Sequence, residues 1–264
     1  MSFSKWHIAA FGILVYLAAL IMTFPADRAY GWLKPALGSK LPVQLFVVNG
    51  TIWSGTAGQA RVRGQVVHDL QWRLHPLALF LGRLDVALDA PYSGGRVAGT
   101  LSRPLAGQGL SIDTPHVDLP LASLLNANRF PIPLTGRLTG DLTRIDIAEN
   151  GDFKLGTGEL LIHDLTVEQP SQLPLGSIKI RIEHDPKDAL VVKATDTGGP
   201  LKLNATVTLP KKDRYLLVAE LKARDRQNAV LMQSLRMLGA PDRTGTFRIQ
   251  RQGSISQDLA LFGF

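Results

Sequence analysis

Beyond its first thirty positions, the chain alternates apolar and polar residues. In six stretches every second residue is apolar, which is typical of β-strands that bury one face and expose the other. These stretches are residues 70–74, 84–88, 178–182, 201–209, 215–221 and 247–249. Clusters of glycine, proline, aspartate and asparagine separate the stretches at hairpin spacing, as in residues 196–200 and 209–214. The pattern predicts a meander of antiparallel strands and therefore a mainly β fold.

Two stretches depart from this alternation and have apolar residues at helical spacing. The first, residues 119–128, predicts a short helix. The second, residues 225–242, carries an apolar stripe that favours a longer helix. Asp225 is its predicted N-cap, Gly239 its predicted C-terminal stop, and Pro241 follows that stop. We expect this second helix to cover part of the sheet or one of its ends.

An uncharged apolar run occupies residues 8–24 at the N-terminus. In a helix these residues span about 26 Å, which is close to the thickness of the hydrocarbon core of a bilayer. The positive bias around the run is slight but points towards a cytoplasmic N-terminus. The residues after the run do not form a signal-peptide cleavage site. We therefore predict an uncleaved single-pass anchor within residues 1–29 and an exported β-rich domain over residues 30–264. The side chains expected to face lipid are Ile8, Phe11, Leu14, Val15, Leu17, Leu20, Ile21 and Phe24.

Composition restricts the partners that the domain can have. The net charge of +7 favours anionic partners, among them phospholipid head groups. The longest basic run is the pair at residues 211–212, and no basic cluster is interleaved with aromatic residues. This argues against nucleic acid as a partner. The chain has no cysteine, which excludes disulfides and thiolate zinc ligands.

A search for catalytic and metal-binding patterns nominates no residue. The six histidines show none of the spacings typical of metal ligands. Neither a serine nucleophile elbow nor a phosphate-binding glycine loop is present. The glycine-rich stretches at residues 94–99 and 156–160 are interpreted as turns, because each follows or precedes a strand pattern. We therefore predict a protein that is not an enzyme and that has no metal site or cofactor.

The heptapeptide NGTIWSG at residues 49–55 has two alternative turn positions. A turn at Asn49–Gly50 matches a strong hairpin pattern, because both residues tolerate a positive φ angle. That turn places Phe46 opposite Trp53 on one face of the hairpin. A turn at Ser54–Gly55 competes with it, and both tight turns cannot form together. The sequence leaves the two alternatives open.

The order of several loose motifs along the chain resembles the type II secretion system protein N family. The first motifs are VNGTIWSGTA at residues 48–57 and LQWRLHPLALFLGRL at residues 70–84. The later motifs keep the same order and lie at residues 118–142, 174–180, 198–209 and 235–255. The resemblance implies a non-catalytic inner-membrane protein with a periplasmic domain. Such a protein contributes to the export of folded proteins by contacting other subunits of the machine, in the inner-membrane platform or the secretin.

The resemblance also implies structural roles for its motif residues. Small residues beside Trp53 are expected to let its ring lie flat against a neighbouring backbone. Trp72 is expected to fill the core, and Pro76 is expected to end the strand of Trp72. The motif positions are Gly50, Thr51, Trp53, Gly55, Trp72, Pro76, Gly239, Pro241 and Gly245.

A wider similarity concerns the overall layout of the chain. An N-terminal anchor followed by apolar-faced strands resembles the start of AsmA-like proteins. That similarity implies a curved, mostly antiparallel sheet that forms a groove, with one or two short helices covering it. It also implies an alternative function, in which the apolar groove binds or handles lipid in the periplasm. The phospholipid membrane is an expected partner under both interpretations.

Overall fold

Strands make up most of the computed structural model, which describes residues 5–37, 43–62, 65–106, 109–127, 133–147, 153–168, 172–186, 189–211 and 214–254. The helices in these residues are α1 (Lys5–Met22), α2 (Ala26–Leu37), α3 (Pro76–Phe80), α4 (Leu121–Ala127) and α5 (Ala229–Arg236). The strands are β1 (Val43–Gly50), β2 (Ser54–Val62), β3 (Gln65–Leu74), β4 (Arg83–Tyr92), β5 (Gly95–Pro104), β6 (Leu110–Pro120), β7 (Leu134–Leu142), β8 (Arg144–Ile147), β9 (Phe153–Leu155), β10 (Gly158–Val167), β11 (Leu173–His184), β12 (Leu190–Asp196), β13 (Leu201–Lys211), β14 (Arg214–Ala223) and β15 (Phe247–Ser254). The predicted mainly β fold is confirmed.

Two compact units divide the chain, and the boundary between them falls within β5. The first unit comprises Met1–Tyr92 and Thr100–Gln108, and the second comprises Ser93–Gly99 and Gly109–Phe264. In the first unit, β1 to β4 pair in chain order, each antiparallel to the next. In the second unit the strand order is β6-β7-β10-β11-β12-β13-β14-β15, again antiparallel, while β8 pairs with β6 and β9 pairs with β8.

The predicted alternation produces one apolar face on the sheet of the second unit. A single row across five strands shows this, because each residue is directly opposite the next in the ladder. The row consists of Ile180, Ala194, Ala205, Ala219 and Ile249. Side chains on a strand point to alternate faces, so the neighbours of these residues lie on the opposite face. The period-two pattern therefore fixes both the strand register and the buried face.

The opposite face of this sheet carries cross-strand ion pairs. Glu159 lies 2.6 Å from the Nζ of Lys179 and 2.7 Å from the Nη2 of Arg181. These two cations, Lys179 first, hold the pKa of the Glu159 carboxyl below its ordinary value. At the end of the sheet, Arg248 donates to Glu220 at 2.8 Å. Solvent screens exposed pairs of this kind, so they favour one register more than they stabilise the fold.

Both predicted helices are present and cover the apolar face of the second unit. Leu231 and Leu235 of α5 are buried in one core cluster with Phe247 of β15. Leu121 of α4 is buried in a second cluster with Leu165, next to the middle of β11. The short helix predicted within residues 119–128 is therefore confirmed. Of the apolar stripe predicted for the longer helix, Leu231 and Leu235 are buried, whereas Val230 and Leu238 are exposed and α5 ends at Arg236.

The predicted N-cap of α5 is wrong. The helix begins at Ala229, and the side chain of Asn228 accepts a hydrogen bond from the backbone N–H of Leu231 at 3.0 Å. Asp225 instead accepts from the backbone N–H of Gln227 at 2.8 Å, within the turn that precedes the helix. Asparagine and aspartate are equally good caps, so sequence preference alone does not choose between them.

The interpretation of residues 94–99 and 156–160 as turns is wrong for most of each stretch. Gly95 belongs to β5 and Gly158 begins β10. A Cβ atom on Gly95 would overlap the backbone oxygen of Asp118 in β6, and one on Gly158 would overlap that of Asp141 in β7. These glycines therefore allow close backbone approach between strands and do not serve to reverse the chain.

Helix α1 covers most of the predicted anchor. It ends at Met22, so Phe24 lies in the segment that leads into α2. The described part of the chain contains no helix that is both long enough and apolar enough to cross a membrane. Within α1, the predicted lipid-facing residues with described side chains are all exposed, namely Phe11, Leu14, Val15, Leu17, Leu20 and Ile21. The side chain of Ile8 lies outside the described residues.

Candidate interaction site

The heptapeptide at residues 49–55 forms the tip of the β1–β2 hairpin, and its turn matches neither alternative predicted from the sequence. Strand β1 ends at Gly50, β2 begins at Ser54, and Gly50 is directly opposite Gly55. The reversal is made by residues 51–53, where the N–H of Thr51 donates to the Ser54 carbonyl at 2.8 Å. The expected pairing of Phe46 with Trp53 is also wrong, because Phe46 is opposite Gln59.

The side chain of Thr51 holds this turn together. Its Oγ1 accepts from the backbone N–H of Trp53 at 3.3 Å and from that of Ser54 at 3.2 Å. A threonine hydroxyl that accepts from nearby backbone N–H groups stabilises a turn that lacks regular ladder bonds. Gly50 has a φ angle of +94°, which favours glycine at the last position of β1. The motif residues Gly50 and Thr51 therefore determine the conformation of the hairpin tip.

The hairpin tip contacts the C-terminal end of α1. The indole Nε1 of Trp53 donates to the Ile21 carbonyl at 2.9 Å. The N–H of Ile52 donates to the Phe24 carbonyl at 3.1 Å, and Pro25 forms an antiparallel bridge with Thr51. The last carbonyls of a helix have no partner within the helix, and the Ile21 carbonyl accepts from the Phe24 N–H at 3.4 Å as well as from the Trp53 indole. We call this contact, residues 21–25 against residues 50–55, the helix–hairpin junction.

Trp72, and not Trp53, is the residue whose ring lies against a glycine. A Cβ atom on Gly55 would overlap Cζ2 of the Trp72 ring and the carbonyl oxygen of Asn49. Gly55 and Trp72 are directly opposite each other in β2 and β3. The prediction that a tryptophan in this motif packs flat on backbone is correct in kind but names the wrong ring. Strand β3 ends at Leu74 and Pro76 begins α3, as the motif predicted.

Helix α2 contributes two further contacts to this region of the first unit. The Tyr30 hydroxyl accepts from the N–H of Leu45 at 2.9 Å, which satisfies a backbone donor of β1. The rings of Phe24 and Trp32 are tilted against each other with centroids 5.5 Å apart. Tyr30 and Trp32 were not singled out from the sequence, because no local pattern shows which strand an aromatic residue of α2 contacts.

The remaining motif residues lie in the second unit, in the loop that follows α5. Asp242 organises this loop, because its Oδ1 accepts from the N–H groups of Thr244 at 2.8 Å and Thr246 at 3.0 Å, and from the Thr244 hydroxyl at 2.6 Å. The Thr244 hydroxyl and these N–H groups lower the pKa of Asp242 to about 2. Gly245 follows with a φ angle of +79° and donates to the Asp242 carbonyl at 3.0 Å. The motif residues thus form two separate clusters, one in each unit.

Titratable groups on the described surface are arranged in cross-strand pairs. His116 lies 2.7 Å from Asp141, and the Nε2 of His163 lies 3.0 Å from the Thr139 hydroxyl. Among the described residues, no three His, Asp or Glu side chains converge in a way that would hold a metal ion. The geometry that the described residues do offer is a set of backbone and aromatic contacts suited to holding structural elements together.

Comparisons with known proteins agree on one family. The family model for type II secretion system (T2SS), protein N, matches residues 42–250. The chain is 25% identical over 249 residues to the type II secretion system protein N of Vibrio cholerae serotype O1 (strain ATCC 39315 / El Tor Inaba N16961), which covers 91% of this chain and 95% of the relative. It is 27% identical over 256 residues to the protein of the same name from Aeromonas hydrophila, covering 95% and 99%. No solved structure matches the chain significantly.

Proposed function

Because the chain belongs to the type II secretion system protein N family, we propose that it is a non-catalytic, membrane-anchored subunit of this export machine. In this proposal the N-terminus is cytoplasmic, the β-rich body lies in the periplasm, and contacts with other subunits contribute to the export of folded proteins. The family match supports membership of the machine. The topology and the mode of action are inferred from the residues described below.

The observation that carries the anchoring proposal is the helix–hairpin junction. Helix α1 exposes a continuous set of large apolar side chains along its described length. Its C-terminal end is joined to the hairpin tip by the Trp53–Ile21 hydrogen bond and by the Ile52–Phe24 backbone bond. A helix with this surface needs an apolar environment, and the junction places the first unit directly at its C-terminal end. The first of the motifs on which the family resemblance rests is thus the segment that contacts the end of the helix.

The proposed contact surface for another subunit is strand β15. It is the last strand in the order of the second unit, and in the described part of the chain it pairs with β14 alone. An edge strand offers backbone donors and acceptors to an incoming strand. On its polar face, Gln250 and Gln252 are exposed and uncharged, next to the exposed Val218 and Leu216. Arg248 on the same face is paired with Glu220, so the segment of Gln250 and Gln252 is the part of this edge best suited to strand addition.

In vivo photocrosslinking tests this surface. A photoreactive amino acid is placed at Gln250 or, as a matched control, at Asn204, which is exposed on central strand β13. In cells that assemble the secretion machine, we expect adducts with a secretion subunit from position 250 and few from position 204. Equal yields from both positions, or adducts with no secretion subunit, would contradict the proposal.

Lipid handling is a second candidate function, and one observation favours it. Beyond the α4 and α5 clusters, on the same face of the second unit, apolar residues are only partly buried, among them Val192, Val207 and Leu217. A lipid chain along this face would complete their burial. Purification of the chain from membranes followed by lipid mass spectrometry tests this function. Stoichiometric phospholipid that is lost on replacing Val192 and Val207 by threonine would support it, and lipid content unaffected by the change would contradict it.

A further inference from the structure

Helix α3 and the residue after it expose three large apolar side chains, whereas Leu79 of the helix is half-buried. Ala78 is buried, whereas Leu77 is 75%, Phe80 is 88% and Leu81 is 76% exposed. Leu105 is 60% exposed, and its N–H donates to the carbonyl of Gly82, directly after Leu81, at 2.8 Å. Single exposed apolar residues are ordinary on protein surfaces, but a contiguous group of large ones marks a contact site. We call this group, Leu77, Phe80, Leu81 and Leu105, the α3 patch.

A series of hydrogen bonds connects the α3 patch to the end of α1. The carbonyl of Trp53, whose indole donates to Ile21, accepts from the N–H of Leu74 at 2.7 Å. Leu74 is the last residue of β3, and α3 begins two residues later. The N–H of His75, between them, donates to the Asp85 carbonyl in β4 at 2.9 Å. The α3 patch therefore lies at the end of the first unit to which α1 is joined.

Basic residues accompany the patch. Arg83 begins β4 directly after Gly82, and it is exposed although its guanidinium lies 3.0 Å from Asp85. Arg103 is exposed and lies two residues before Leu105. Apolar side chains beside arginines match the chemistry of a membrane interface, where acyl chains, phosphates and water meet.

We propose that the α3 patch is a second membrane contact, which inserts into the head-group layer of an anionic phospholipid bilayer beside the end of α1. In this arrangement Leu77, Phe80, Leu81 and Leu105 enter the acyl boundary, and Arg83 and Arg103 lie at the level of the phosphates. The inference rests on the proposed anchoring by α1. It goes beyond that anchoring because a second contact restrains how the first unit tilts about the helix.

The absence of cysteine from the sequence allows single-cysteine labelling of the full chain. Phe80→Cys is labelled with a polarity-sensitive fluorophore and reconstituted into vesicles of phosphatidylethanolamine and phosphatidylglycerol. The matched control is Val66→Cys, 38% exposed on the same unit, because it lies eight residues before Leu74 along β3. That separation is about 26 Å. Ile13→Cys in α1 is the reference for a position in lipid.

We expect the label at position 80 to shift to shorter emission wavelength and to be quenched by lipids that carry a spin label near the head group. Aqueous iodide should quench it several-fold less than the label at position 66. Replacing Arg103 by glutamine should lower the ratio of molecules with an inserted α3 patch to molecules with a patch in water by up to about fivefold. The reason is that one arginine near an anionic surface contributes about 1 kcal/mol to membrane binding. The same substitution should have no effect in vesicles of phosphatidylcholine alone.

The reference label separates failure of this inference from failure of the anchoring proposal. If position 80 is as accessible to iodide as position 66 while position 13 is quenched by lipid, the second contact is overturned and the anchoring by α1 stands. If neither position 13 nor position 80 is quenched by lipid, both proposals are overturned. Quenching at position 80 without quenching at position 13 supports the patch and overturns the helix anchor.

Discussion

At the residue scale, Gly55 shows how a missing side chain fixes the position of a hairpin. The ring of Trp72 and the carbonyl of Asn49 occupy the space that a Cβ would need. The sequence indicated a turn within residues 49–55 but not its position, because local preference favoured two glycine pairs equally. The choice depends on groups distant in sequence, the Trp72 ring and the end of α1, and no local pattern contains them.

Replacement of Gly55 by alanine should destabilise the first unit. Overlap with a ring and a backbone oxygen forces both to move, and overpacking of this kind costs about 1–3 kcal/mol. Thermal unfolding of the detergent-solubilised chain, followed by the circular dichroism of its strands, measures the change. Gly31→Ala in α2 is the control, because a Cβ there meets nothing within 4 Å. We expect the control to be neutral or stabilising, and equal losses from both variants would contradict the packing argument.

Replacement of Trp53 by phenylalanine should remove one hydrogen bond and keep most of the ring. The Ile21 carbonyl loses the indole donor, so the free energy of unfolding should fall by about 1 kcal/mol. Chemical unfolding in detergent measures this difference. Trp6→Phe, at an exposed position of α1, is the control and should leave stability unchanged. A Trp53→Phe variant as stable as this control would show that the junction does not depend on the indole N–H.

At the element scale, hydrophobic periodicity predicted both covering helices and six of the described strands, namely β3, β4, β11, β13, β14 and β15. Polar residues that suit more than one role were harder to assign. Asp225 and Asn228 both have side chains that cap helices, and the fold uses the second as the cap of α5. Gly95 and Gly158 belong to glycine-rich stretches that are typical of turns, but they lie within strands because a neighbouring backbone passes close to them. Such assignments depend on which strands become neighbours, and periodicity alone does not give that information.

Removal of the cap should weaken α5 and its contact with β15. Asn228→Ala leaves the N–H of Leu231 without its acceptor, which should cost about 1 kcal/mol. Asp225→Ala removes only the bond to Gln227 outside the helix and should cost clearly less. Unfolding midpoints of the two variants, compared in the same detergent, measure the difference. A larger loss of stability from Asp225→Ala would show that Asp225 is the cap of α5, as the sequence predicted.

The loop after α5 should lose stability in acid through Asp242. Its pKa of about 2 lies below the ordinary value of 3.8, so folding favours the charged carboxylate. The stabilisation is therefore complete above about pH 4 and is lost as the pH falls towards about 2. Asp242→Asn should flatten the dependence of the thermal midpoint on pH in this window. A midpoint with the same slope in both proteins would show that other carboxylates account for it.

At the scale of the whole molecule, the order of motifs along the chain was more informative than any single residue. It predicted the family, which the match over residues 42–250 shows, and alternation predicted an antiparallel body. The division into two compact units was not predicted, because it falls within β5 and no change in composition marks it. The α3 patch was also missed, since an apolar run such as LALFL resembles a core segment until its exposure is known.

Deletion of residues 1–29 behind a cleavable signal should release the β-rich body into the periplasm. The deletion removes the apolar helix, so the remaining chain has no strong anchor. Any contact through the α3 patch alone should be peripheral and reversed by alkaline carbonate, whereas the full chain should stay in the membrane pellet. Fractionation of cells with and without carbonate makes the measurement. A truncated chain that resists carbonate would contradict anchoring by the N-terminal segment.

The hydrogen bond from the Trp53 indole to the Ile21 carbonyl ties the hairpin tip directly to the C-terminal end of α1. A flexible linker in place of this contact would let the β-rich body move freely relative to the helix. Here the tip of the β1–β2 hairpin bonds to the carbonyls of Ile21 and Phe24, so direct contacts set its distance from the end of α1. A subunit that binds the hairpin must therefore do so at a fixed distance from the end of α1. A force applied to the sheet is transmitted to the helix through these hydrogen bonds.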